Sequence, residues 1–184
     1  EHQIQRTELG EVLQYEQPTK YIVKSTHYDD DYPTPVLTAG KSFILGYTNE
    51  KDGVFPKGKL PVIIFDDFTT ASKFVDFSFK VKSSAMKILH ADRKKANTRF
   101  LYYTIQNVVF PVRRHKRHWI SEFSKIKIVL PNLDEQKRIT DKLDKVFAET
   151  EKGLSIASKE RKQTASLQKS LLAKVFSNPE LQKV

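Results

Sequence analysis

From Asn132 to Phe176 the chain runs without proline and with a single glycine, Gly153, until Ser177-Asn178-Pro179 stops it. Within that stretch Ile139, Leu143, Val146, Thr150, Gly153 or Leu154, Ala157, Arg161, Thr164, Leu167, Leu171 and Val175 recur at steps of three or four. Such steps put one narrow, heptad-like stripe on a helix, weakest between Thr150 and Thr164. At ~1.5 Å per residue the helix is about 65 Å long. Asn132 can cap it, Glu135 stands at the capping-box position, and Asp134 and Glu135 suit its positive end. A lone helix cannot bury this stripe, and the chain holds no second helix of similar length. The expected partner is another chain or another half of a longer parent chain, meeting the helix through Ile139, Leu143, Val146, Leu154, Ala157, Leu167, Leu171 and Val175. A helix folded back on its own domain is the alternative.

The segment before Leu130-Pro131 has a different texture. Strand-like runs at Ser42–Tyr47, Leu60–Phe65, Phe74–Val81 and Lys125–Val129 alternate with turn residues such as Asn49, Asp52-Gly53 and Pro56 to Gly58. Phe74, Asp76, Ser78 and Lys80 alternate with Val75, Phe77, Phe79 and Val81, which predicts one half-buried strand with a wet face. Thr98–Asn107 fits a strand or a short helix. The expected fold is α+β: an irregular, mostly antiparallel sheet domain over 1–131, a long helix over 132–177 that forms a coiled coil, and a tail over 178–184.

Charge narrows the function. The chain carries 32 Lys plus Arg against 22 Asp plus Glu, for a net charge of +10. Residues 1–131 hold 21 basic and 14 acidic residues, so +7 of that excess sits in the sheet domain. This balance favours a polyanion, nucleic acid before membrane. The absence of cysteine excludes disulfides and thiolate metal sites. No 18-residue apolar run is present to span a membrane. No signal peptide is visible, and the start at Glu1 rather than Met leaves room for a missing N-terminal segment.

Several motifs reduce to simpler readings. Gly40-Lys41-Ser42 ends like a phosphate-binding loop, but Pro35 stands where the first glycine is needed and Phe43–Tyr47 reads as a strand. Asp66, Asp67 and Asp76 lack the companions of a metal-dependent nuclease, and Phe65–Thr70 reads as a strand end and turn. His115 and His118 lie among cations that would repel a metal ion. The run Arg113-Arg114-His115-Lys116-Arg117-His118-Trp119 fits a phosphate-binding surface, with Trp119 free to pack or stack, and Arg93-Lys94-Lys95 with Arg99 forms a second cluster. No cofactor loop, helicase motif or hydrolase triad is present, so no catalytic residue is expected.

Three segments carry a resemblance. Tyr32–Tyr47 looks like a recurrent opening of one class of DNA target-recognition domain, and Phe65–Asp76 looks like the same class further on. Leu130-Pro131-Asn132-Leu133-Asp134-Glu135-Gln136-Lys137-Arg138-Ile139 is similar to the L-P-P-L-x-E-Q-x-x-I start of that family's spacer helix, with Asn132 in place of the second proline. Leu9-Gly10-Glu11-Val12 is similar to its N-terminal L-G-[DE]. The chain as a whole resembles half of a type I restriction–modification DNA specificity subunit: one target-recognition domain and one conserved spacer helix.

That resemblance implies a cytoplasmic, non-catalytic subunit that reads one half of a bipartite double-stranded DNA site. It would dock modification subunits that methylate adenine with S-adenosylmethionine, beside a restriction subunit that uses ATP and Mg. It also implies antiparallel pairing of the helix, with a second copy as a homodimer or with a second half. DNA contacts are then expected at Lys41, Arg93, Lys94, Lys95, Arg113, Arg114, Lys116, Arg117 and Trp119, and base readout at Thr38, Thr69, Thr70 and Ser72. A DNA-acting enzyme with a dispersed, metal-dependent site and a coiled-coil adaptor with a basic protein-binding domain are the readings from other classes.

Overall fold

Four successive apolar residues, Val62, Ile63, Ile64 and Phe65, are all fully buried in strand β5 (Val62–Asp66). Side chains alternate across a strand, so burial at every position requires packing on both faces of the sheet. The computed structural model, which describes residues 6–40, 42–111 and 116–176 and leaves the Val175 side chain undescribed, shows both layers. On one face Ile63 and Phe65 join Leu9, Val12, Leu13, Leu89, Leu101, Trp119, Phe123 and Ile128. On the other, Val62 and Ile64 join Tyr21, Leu37, Phe55, Val75, Phe79, Val81 and Ile88.

The central sheet has the order β2-β8-β5-β6, with β2 (Leu13–Glu16), β6 (Ser72–Val75) and β8 (Met86–Ala91) all antiparallel to their neighbours. Strands β3 (Thr34–Leu37), β4 (Ile44–Thr48) and β7 (Lys80–Val81) form a second sheet in which β3 and β7 run parallel. A third pair joins β1 (Arg6–Glu8) to β9 (Lys127–Val129). Between β1 and β2 lies the single turn α1 (Leu9–Val12), whose buried Leu9 and Val12 enter the first cluster. The fold is α+β, as expected, with the irregular sheet divided into three.

The ambiguous run becomes helix α2 (Thr98–Gln106). Asn97 starts it, its Oδ1 accepting from the amides of Arg99 and Phe100 at 2.8 and 3.1 Å. Phe100, Leu101 and Ile105 then share its buried side. At Asp52-Gly53 the predicted turn is present, with Gly53 at φ +64, and a Cβ there would stand 2.2 Å from the Lys20 carbonyl oxygen.

The single strand expected over Phe74–Val81 is a correction. The run splits into β6 and β7, which belong to different sheets. The alternation puts Lys80 on the wet face, yet it is 1% exposed and ends on the Glu50 carboxylate at 2.9 Å and the Asp52 carbonyl at 2.6 Å. A buried ammonium with these partners anchors the second half of the run elsewhere.

Helix α3 (Leu133–Phe176) is continuous over 44 residues. The Asn132 Oδ1 accepts from the Glu135 amide at 2.9 Å, as a cap should. The Glu135 carboxylate does not close a box but takes the Arg138 guanidinium at 2.7 and 2.8 Å, which holds its pKa below the usual range. Fully buried Gln136 accepts from the Asn97 amide and donates to the carbonyls of Lys95 and Pro131.

The chain divides into two units, Glu1–Thr140 and Asp141–Val184, so the first unit ends inside the helix rather than at 131. Ile139, half-buried, packs against the first core cluster, so part of its surface is already covered within the first unit. Past it, Val146, Leu154, Leu167 and Leu171 are each close to half exposed or more, as are Phe147 and Leu172, which widen the stripe. Leu143 is half-buried and Ala157 exposed. No helix among the described residues is long and apolar enough to cross a membrane.

Candidate nucleic-acid interface

The antiparallel register separates the two basic clusters. Asp66 of β5 pairs with Met86 of β8, and Ile63 with Leu89, so the turn after β8 lies near the start of β5. Arg93, Lys94 and Lys95 follow β8 and so sit at that start, whereas the β5–β6 turn lies at the other end, about 14 Å away at ~3.4 Å per residue.

At the Arg93 end most of the charge serves the fold. The Arg93 guanidinium donates to the Leu60 and Lys59 carbonyls at 2.6 and 3.3 Å, and Lys95 pairs with Asp92. Glu16 is the acidic counterweight. Burial pushes its carboxyl up, but hydrogen bonds from Lys20, Tyr21 and His90 outweigh that and hold it at about 2. Lys59 adds a pair to the same carboxylate at 3.4 Å. Burial outweighs Glu16 at His90 and lowers its pKa, so a neutral ring donating Nε2–H accounts for the 2.9 Å contact. Lys94 is exposed, and with Lys95 it lines an open cleft beside Glu11, Gln14 and Leu130–Leu133.

The other end is built around Asp67. This residue is 1% exposed and holds three partners from distant parts of the chain. Its Oδ1 accepts from the Trp119 amide at 2.8 Å and the His118 amide at 3.2 Å, and its Oδ2 lies 3.5 Å from Nζ of buried Lys87. The carboxylate thereby fixes the 118–119 backbone against the end of β5. Arg117 comes to rest over the Phe68 ring, 5.4 Å from its centroid, and remains exposed. Lys73 stands 6.0 Å from the Phe43 ring, which adjoins the Thr38 turn. Among the described residues no carboxylate pairs with Arg117 or Lys73. These two cations are thus better placed than Arg93 or Lys95 to neutralise a phosphate.

Two expected contacts are corrected. Trp119 is 2% exposed, its ring 5.2 Å from Phe65 and 6.0 Å from Phe123, so it is a core anchor and not a stacking surface. Ser72 is buried, and its Oγ accepts from Gln106 Nε2 at 2.7 Å. Lys116 is held by Glu122. Thr38 closes its own turn, accepting from the Gly40 amide and donating to the Ser42 carbonyl, and the expected strand, β4, follows. Thr69 and Thr70 stand at the β5–β6 turn. Lys41, Arg113 and Arg114 lie outside the described residues.

Sequence reasoning missed Lys87 and Lys73. A lysine between Met86 and Ile88 in an apolar strand was a legible signal, because a buried cation must have a partner. Lys73 lay within a segment already singled out. No group of three or more His, Asp or Glu able to hold a metal occurs among the described residues.

An α+β unit with cationic rims, followed by one long helix with an apolar stripe, has the form of a DNA specificity module. Residues 2–157 match the family model described as the type I restriction modification DNA specificity domain, and the chain belongs to that family. A curated relative, the type I restriction enzyme EcoR124I/EcoR124II specificity subunit of Escherichia coli, is 48% identical over 165 residues, covering 83% of this chain and 41% of the relative. The chain therefore spans about two-fifths of that relative's length.

Solved structures share the fold. A chain of a type I R-M system superposes with a TM-score of 0.64 at 16% identity, over 95% of this chain and 46% of that one. The S subunit from M. genitalium gives 0.59 at 15%, over 79% and 39%. The HsdS subunit from Thermoanaerobacter tengcongensis gives 0.51 at 14%, over 79% and 37%.

Proposed function

We propose that the chain recognises one half of a bipartite DNA sequence, as the specificity component of a type I restriction–modification complex. The observation that carries the proposal is the family match, which runs through the α+β unit and into the helix. The charge distribution supports it, since Arg117, beside the β5–β6 turn, and Lys73 of β6 pair with no carboxylate among the described residues. The exposed stripe from Val146 to Leu172 supports antiparallel pairing with a second copy or a second half. In this reading the chain itself is non-catalytic. Modification subunits dock on it and bring S-adenosylmethionine, and a restriction subunit brings ATP and Mg chemistry. The complex works in the cytoplasm.

The test is reconstitution with modification subunits on a library of random duplexes, reading out methylated adenines. The expected result is methylation at one recurrent split sequence, with none when this chain is omitted. Methylation that is random in sequence, or unchanged without the chain, overturns the proposal.

A further inference from the structure

Thr70 has φ +59, the one non-glycine residue with positive φ among the described residues. A β-branched side chain is strained there, and glycine would adopt the same backbone without steric strain. The turn holds it in place: the Thr70 amide donates to the Asp66 carbonyl at 2.9 Å, and the Asp66 amide to the Ala71 carbonyl at 2.8 Å. The Asp66 Oδ1 takes the Phe68 and Thr69 amides, both at 2.9 Å. The backbone is thus fixed without help from the Thr70 side chain, whose hydroxyl makes no hydrogen bond within the described residues. Beside it, Thr69 is exposed, with only a long 3.4 Å contact from the Ala71 amide to its Oγ1. Two hydroxyls with donor and acceptor capacity therefore stand at a rigid tip. Arg117 lies over the adjoining Phe68 ring, and the next two residues, His118 and Trp119, are tied through their amides to Asp67.

Resting on the DNA-recognition reading above, we infer that the Phe68–Thr70 turn is a base-reading element, with Thr69 and Thr70 as specificity-determining residues and Arg117 as its phosphate anchor. A threonine hydroxyl can bond to either a donor or an acceptor on a base edge, so its selectivity comes from rigid placement. The clamped backbone supplies that placement. Arg117 adds a cation beside the tip that carries no sequence information of its own.

The experiment uses the full chain and a pool of short duplexes with a randomised centre, sequenced after selection, together with thermal unfolding. Wild type enriches one half-site. Thr69→Ala leaves the unfolding midpoint unchanged and weakens preference at one or two positions by about three- to ten-fold, the worth of a hydrogen bond. Thr70→Gly raises the midpoint by about 2–4 °C as strain is released, yet also relaxes the preference. Arg117→Ala weakens binding to all sequences alike and lowers the log–log salt slope by up to about 0.9. A lower midpoint for Thr70→Gly would show that the side chain serves the fold, and would overturn the inference. So would both threonine variants enriching the wild-type sequence at the wild-type ratio while the wild type remains selective. If the wild type enriches nothing, the DNA-recognition reading fails first and this inference with it.

Discussion

Breaking the Asp67–Lys87 pair should unsettle the interface and the fold together. Asp67→Asn keeps a carbonyl that can still accept from the His118 and Trp119 amides, but leaves the Lys87 ammonium, 1% exposed, without its counter-charge. Stranding one member of a buried pair costs about 3–5 kcal/mol. The Tyr15 ring, 5.2 Å from Lys87 Nζ, offsets part of this, on the order of 1 kcal/mol. The expected net loss is about 2–4 kcal/mol, a large fraction of the roughly 5–15 kcal/mol that holds a domain of this kind together. Lys87→Met should cost less, because the carboxylate keeps two amide donors. The double variant, with neither charge, should recover to within about 1 kcal/mol of wild type. Urea unfolding followed by fluorescence measures this directly, because Trp119 is the only tryptophan and its amide is bonded to Asp67. Two small single losses that simply add in the double variant would refute the reasoning.

Other outcomes follow from the same geometry. Glu16 is held at about 2 against an ordinary 4.5, so its contribution is fully present above about pH 4.5 and is lost as pH falls toward 2. It is worth about 2–3 kcal/mol at most, and Glu16→Gln should flatten the acid limb of unfolding free energy against pH. Leu143→Asp with Leu171→Asp should give a monomer by light scattering, and an unchanged dimer would place the contact elsewhere. Replacing Arg117 and Lys73 with alanine should lower the salt slope of DNA binding by up to about 1.8, whereas Arg93 and Lys95 to alanine should change it little and reduce stability instead. The reverse order in a fluorescence-anisotropy titration would move the DNA face to the other end of the sheet.

Much of the fold was legible because its signals were local. The Asn132 cap, the helix, the Asp52-Gly53 turn and the Phe65–Thr70 strand end each rest on a few neighbouring residues. The failures share one cause, partners distant in the chain. Lys80 reads as a solvent-facing residue until Glu50 and Asp52 are placed beside it. Trp119 reads as part of a basic surface run because its amide anchor, Asp67, lies fifty-two residues earlier. Ile139 continues a periodic stripe and yet packs against the domain core, since periodicity marks an apolar side and not what covers it. In the candidate site, the cationic run was visible, but its division into paired and available charges required the sheet register.

The double-sided burial of β5 has a consequence for how such a module can change. One core cluster carries α1, α2 and the start of α3, while the other carries the β3–β4–β7 layer and the Thr38 turn. The two lie on opposite faces of the central sheet, so substitutions in one cluster should combine almost additively with substitutions in the other. The β3–β4–β7 layer could then be rebuilt, by exchange or by directed evolution, without repacking the face that holds the helix. A central strand buried on both sides acts as a partition, leaving one surface free to diversify while the other stays fixed.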